Sequence, residues 1–130
     1  MSFQIDLTAA LLNHLFGKST YTPPTMYIGL STSSGTVVEV SESGTGYARQ
    51  ATTANDWDFA DITGNAFTAN NATINFPVAT AYWGTIQQAL LCDALTGGTV
   101  LARADAAIDK TISTGDSIII LPGKLKFILL

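Results

Sequence analysis

Ile86-Gln87-Gln88-Ala89-Leu90-Leu91-Cys92-Asp93-Ala94-Leu95-Thr96-Gly97-Gly98-Thr99-Val100-Leu101-Ala102-Arg103-Ala104 reads as two apolar strands joined by a glycine turn. Thr96-Gly97-Gly98 supplies the residues that a tight antiparallel hairpin demands. The same grammar extends outward from this hairpin. Met26, Ile28 and Leu30 alternate with Tyr27, Gly29 and Ser31, and Ile74, Phe76 and Val78 alternate with Thr73 and Asn75, with Pro77 marking an edge or a strand end. Val38 and Val40 suggest a short strand inside the Ser/Thr/Gly-rich stretch 31–46, and Tyr47 to Thr53 continues in extended form. Thr114-Gly115-Asp116 starts a strand over 117–121, and 124–130 closes the chain. About seven or eight strands with turns every ~8–15 residues predict a mainly β chain, a β-sandwich of the jelly-roll kind.

One segment departs from this pattern. Over residues 6–16, apolar side chains fall at Leu7, Leu11, Leu12, Leu15 and Phe16, the spacing of a helix face. Asp6 suits its N-terminus and Gly17 its C-terminus. The expected organisation is one domain, 1–130, with a single short N-terminal α-helix at 6–16 and the sandwich over 25–130. A helix of about three turns is marginal alone, so its apolar face must dock on its own sheet or on a partner.

Composition removes several function classes. The 130 residues are 47% hydrophobic and 12% charged, so the chain has the means for a packed core. Six Lys+Arg against ten Asp+Glu leave a net charge of −4, without the basic footprint of nucleic-acid binding. The longest apolar runs, 118–122 and 127–130, are too short to span a membrane. Met1-Ser2-Phe3-Gln4 lacks a signal peptide's basic start, so the expectation is a product of a reducing cytoplasm. Eighteen Thr and nine Ser replace charge on the surface, which suits a subunit whose surface is committed to neighbours.

The chemistry-bearing residues do not assemble. Gly17-Lys18-Ser19-Thr20 imitates the end of a phosphate loop, but position 12 is Leu and Pro23-Pro24 follow, so it reads as a helix C-cap. Asp56, Asp58 and Asp61 fall close together, yet an EF-hand would need Gly and Glu where Asp61 and Phe67 stand. His14 has no second ligand at helical spacing, and Cys92 lies in an apolar strand as a small hydrophobe. Arg49 and Arg103 sit in strands, where a solvated face is the ordinary reading; Glu39, Glu42 and Asp105 are the candidate ion-pair partners. The expectation is no catalysis, no cofactor and no metal. The candidate protein-contact residues are Leu11, Leu12, Leu15 and Phe16 on the helix, and Trp57 and Phe59 in the long loop 52–71, since aromatics dominate binding hot spots.

The order of segments adds to this. Leu11-Leu12-Asn13-His14-Leu15-Phe16-Gly17, Tyr21-Thr22-Pro23-Pro24 and Met26-Tyr27-Ile28-Gly29-Leu30-Ser31 are followed by Gly46-Tyr47-Ala48-Arg49-Gln50 and Ile74-Asn75-Phe76-Pro77. Trp83-Gly84-Thr85, the turn 93–98 and Thr114-Gly115-Asp116 complete the series. Over nearly the whole chain this resembles small structural proteins of tailed-bacteriophage virions. These include jelly-roll head decoration (cement) proteins and relatives labelled tail fibre or minor tail proteins. The apolar end Phe127-Ile128-Leu129-Leu130 and the Cys92 strand depart from many of them.

The resemblance implies a non-enzymatic capsid decoration protein that binds between major capsid subunits of the same phage and stabilises the shell. It further implies a homotrimer, made in the host cytoplasm and placed on the capsid surface ahead of the tail. A tail fibre, tail tip or adaptor subunit is the alternative. A carbohydrate-binding sandwich using Trp57, Trp83 and Tyr82 is a lesser one.

Overall fold

The structure, a computed structural model, describes residues 2–3, 5–61, 64, 66–104 and 109–129. In chain order the elements are β1 (Ser2–Phe3), α1 (Ile5–Leu15), β2 (Tyr27–Ser31), β3 (Gln50–Ala51), a 3-10 turn (Ala54–Asp56), β4 (Ala66–Ala69) and β5 (Ile74–Asn75). Then come β6 (Gly84–Ile86), β7 (Gln88–Cys92), β8 (Val100–Ala104), β9 (Lys110–Ile112), β10 (Ile119–Ile120) and β11 (Lys126–Leu129). The chain is mainly β with antiparallel pairing and one short helix, as the periodicities require.

The pairing is nested. β7 pairs with β8 across the turn 93–98, β6 with β9, β5 with β10 and β4 with β11, all antiparallel. A chain that folds once as a long hairpin and then rolls up gives this connectivity, and the nesting is the one expected of a β-sandwich of the jelly-roll kind. The glycine turn is therefore the centre of the topology, and the hairpin read first in the sequence is its tip. β2 adds to the free side of β7 and β1 to that of β8, giving a five-stranded sheet in the order β1-β8-β7-β2-β3. The other pairs form separate two-stranded ladders.

Sheet and ladders share one core. Ile28 and Leu30 of β2, Ile86 of β6 and Ile112 of β9 are fully buried with Leu125. Each such side chain contributes roughly 1.5–3 kcal/mol by leaving water. β7 is buried at every position, Gln88 through Cys92, so it is covered on both faces. Asn70 closes the far end: its amide nitrogen donates to the carbonyls of Ala72 (2.9 Å) and Leu121 (3.1 Å), and its Oδ1 accepts from the Leu125 amide (3.0 Å). A fully buried asparagine thereby satisfies the turn that feeds β11.

The helix lies one residue earlier than expected. It ends as anticipated, with Gly17 at φ +71°, where the amide of Lys18 donates to Asn13 O (2.8 Å). His14 contributes too, its Nδ1 accepting the Tyr21 amide at 3.1 Å. Two expectations need correction. The strand proposed around Val38 and Val40 is a single bridge, Glu39 to Ser31, and the extended reading from Tyr47 contracts to β3. Segment 52–71 is not a plain loop, because it carries the 3-10 turn and β4. Ala66-Phe67-Thr68-Ala69 has too weak an alternation to declare itself, and it is a strand because β11 pairs with it.

Candidate functional site

The helix resolves the choice posed by its sequence. Leu7 is buried and Leu11 packs against the core, so one face docks on the chain's own sheet. Ile5, Leu12, Leu15 and Phe16 point the other way, with Leu15 74% and Phe16 72% exposed. The helix is thus apolar on both sides, and only one side is covered. Beside it lies a groove of about 330 Å³ whose walls include Leu11, Met26, Trp57, Phe67, Leu91 and Phe127.

Trp57 is held in that wall. Its indole N–H donates to Thr52 Oγ1 at 3.0 Å, and its ring lies 5.7 Å from that of Phe127. The Asp56 carboxylate just before it accepts from the Thr53 amide (2.8 Å), so this acidic residue caps the 3-10 turn that sets Trp57's position. Phe59, two residues on, is fully exposed. Of the six expected contact residues, Leu11 and Trp57 line the groove, while Leu12, Leu15, Phe16 and Phe59 are displayed outward. Contiguous exposed apolar patches mark interaction sites, and Leu12, Leu15 and Phe16 are exposed close together along α1 and its end.

Further displayed residues lie elsewhere, and of these sequence reasoning had singled out only Tyr82. Val78, Tyr82, Ile119 and Leu121 are each more than half exposed. The signal was present: in Ile118-Ile119-Ile120-Leu121 a strand covered on one face cannot bury all four side chains. With Ile118 and Ile120 inside, Ile119 and Leu121 must face out.

The polar constellation that the structure does assemble is buried. Gly29 on β2 opposes Leu90 on β7, and a methyl group added at 29 would stand 2.8 Å from Tyr47 Oη and 3.0 Å from Glu39 Oε2. Glycine lets these side chains lie directly on the strand. Arg49 grips Glu39 with two bonds, Nε to Oε2 (2.8 Å) and Nη2 to Oε1 (2.7 Å). Tyr47 Oη donates to Glu39 Oε2 (2.6 Å) and accepts the Leu30 amide (3.0 Å). Arg49 Nη1 reaches on to the carbonyls of Ala94 (2.7 Å) and Gly97 (2.8 Å). The ordinary reading of Arg49 as a solvated strand residue is therefore wrong, since its side chain is 5% exposed and pairs with Glu39. Short neighbours made room for it. Arg103 donates to the carbonyl of Gly35, and Asp105 lies outside the described residues.

These groups bond to one another and to the backbone of β2 and of the turn 93–98. Trp83 is 5% exposed, its N–H donating to Thr45 O at 2.8 Å, so its ring is not available to stack on a sugar. Cys92 is fully buried, and burial pushes its thiol up to about 11. Folded protein at neutral pH is accordingly expected to react with a disulfide reagent at least ~100-fold more slowly than the unfolded chain. Full labelling within seconds in native buffer would contradict the burial. Among the described residues no group of three or more His, Cys, Asp or Glu is arranged to hold a metal ion, and no helix is long and apolar enough to cross a membrane.

Residues 3–128 match the family model described as podophage GP4 fiber I protein gp80. No curated protein matches the chain. The family match spans nearly the whole chain, which therefore belongs to this family of phage virion structural proteins.

Proposed function

We propose that this member of the podophage fiber I family is a non-enzymatic subunit of the phage fibre apparatus. It acts by binding other virion proteins through the apolar surface around α1 and Trp57. The observation that carries this reading is the uncovered helix side: Leu12, Leu15 and Phe16 are displayed in water on an element whose other side is already docked. The word fiber in the family description supports the fibre address. The capsid decoration reading, with the major capsid protein as partner, is the second one, and the nested jelly-roll pairing favours it. Copy number separates the two. Densitometry of purified particles is expected to give a small number of copies, and hundreds per particle would move the protein to the head.

The same surface supports self-association as a homotrimer. A closed ring buries a sticky patch on every copy without leaving one unsatisfied. Sedimentation equilibrium at micromolar concentration is expected to give three times the chain mass. Leu15→Asp with Phe16→Asp is expected to weaken association by at least about 2 kcal/mol, the scale of a lost hot spot, and to leave the circular dichroism unchanged. A wild-type chain that sediments as a monomer would overturn the trimer, and an unshifted double variant would remove α1 from its interface.

A further inference from the structure

We propose that the Glu39 carboxylate is an acid-releasable clamp on the β7–β8 hairpin turn. While it is ionised the turn 93–98 is held in one shape, and neutralising it frees the turn with the rest of the fold intact. The inference rests on the geometry of the buried cluster and is independent of the virion address.

The clamp joins segments far apart in the chain. Glu39 lies on the connection between β2 and β3, and Arg49 returns from the end of that connection. The guanidinium directs two N–H groups to the carboxylate and a third to the carbonyls of Ala94 and Gly97. The turn is thus pinned from below by a cation whose place is set by Glu39. Its own closure is slight: the Asp93 amide donates to Thr99 O (3.2 Å), and the Thr99 amide donates to Asp93 Oδ1 (2.7 Å). Leu95, Thr96, Gly97 and Gly98 are exposed. If Glu39 takes up a proton, Arg49 keeps its charge but loses its counterion while 6% exposed. Water must then reach the guanidinium, and the exposed turn is the thinnest cover over it. β2 and β7 beneath are fully paired and stay closed.

Of the groups bonded around the guanidinium, Glu39 is the carboxylate. Tyr47 is pushed upward by burial and by Glu39, and Cys92 by burial, so both stay neutral in acid. Asp93 is the other carboxylate close by, on the turn itself. Burial pushes the Glu39 carboxyl up, but hydrogen bonds from Arg49 and Tyr47 outweigh it and hold the group below its ordinary range. The sign follows: the clamp is fully engaged above the ordinary carboxylate range and is lost as pH falls through the lowered value.

Amide exchange, corrected for the intrinsic pH dependence, tests this on the full chain. Protection of the Asp93 and Thr99 amides is expected to fall about 100-fold in acid while that of Leu90 and Leu91 persists. Glu39→Gln keeps the shape and removes the charge, and its turn is expected to be open already at neutral pH. Asp93→Asn is expected to retain the acid step, read at the Thr99 amide and at the Arg49 Nε–H. Simultaneous loss of turn and strand protection in the wild type would overturn the clamp. So would a Glu39→Gln turn as protected as the wild type at neutral pH, or an acid step abolished by Asp93→Asn.

Discussion

Arg49→Ala is expected to lower the unfolding free energy by about 3–5 kcal/mol, a large share of the stability of an ordinary domain. Two costs combine. The variant leaves the Glu39 carboxylate, whose side chain is 22% exposed, without its bidentate partner. It also strips the carbonyls of Ala94 and Gly97 of the guanidinium that they face. An exposed ion pair would contribute about 0–1 kcal/mol, so the measurement discriminates between a surface pair and a structural one. Urea denaturation should show a lower midpoint with an unchanged slope. Adding Glu39→Gln to Arg49→Ala removes the orphaned charge, and the pair should cost less than the sum of its members. A loss below about 1 kcal/mol for Arg49→Ala would show that water already shares this site.

Trp83→Ala is expected to cost a similar amount, about 3–5 kcal/mol, and to lower the melting temperature by roughly 10–20 °C. The indole stands edge-on to Tyr47, ring centres 5.5 Å apart, and Tyr47 in turn stacks on Phe76 at 6.3 Å. Removing it opens a cavity beside Tyr47 and leaves the Thr45 carbonyl without its N–H donor. Trp83→Phe keeps most of the volume and loses the hydrogen bond, so it should cost less. Differential scanning calorimetry on the three proteins gives the order directly. An alanine variant that melts within a few degrees of the wild type would mean that the site collapses to fill the space. Because Tyr47 also contacts Glu39, the two perturbed regions share a residue, and Trp83→Ala with Arg49→Ala should not add simply.

Much of the fold was legible locally. The hairpin 86–104 announced itself through two apolar arms and a glycine turn, and the helix through its spacing and its closing glycine. Both signals depend only on neighbours in sequence, since backbone conformations at turns and helix ends are decided within a few residues. β4, with its weak alternation, left no comparable trace, and β3 and β5 are only two-residue pieces of the longer extended stretches read at 47–53 and 74–78, because a strand that short exists only through the strand beside it. Leu12, Leu15, Phe16, Trp57 and Phe59 were legible as apolar residues in the wrong company for a loop or a short helix. Leu11 was legible as apolar, but not as a groove wall.

From the sequence alone comes the class of molecule: a mainly β chain with one helix, a low-charge surface and scattered chemistry, in an order that resembles virion proteins. Which apolar residues are covered, and which polar ones are buried, is settled only when the elements pack. Leu7 and Leu15 are alike as residues, and the sheet under α1 has room for one helix face, so Leu7 is covered and Leu15 is displayed. Arg49 and Glu39 are ten positions apart with no local reason to meet. They meet over Gly29, a glycine on a third segment, where the missing side chain leaves room for a buried ion pair against the strand. Burial is a property of surfaces brought together from distant parts of the chain, and no window of sequence contains both surfaces.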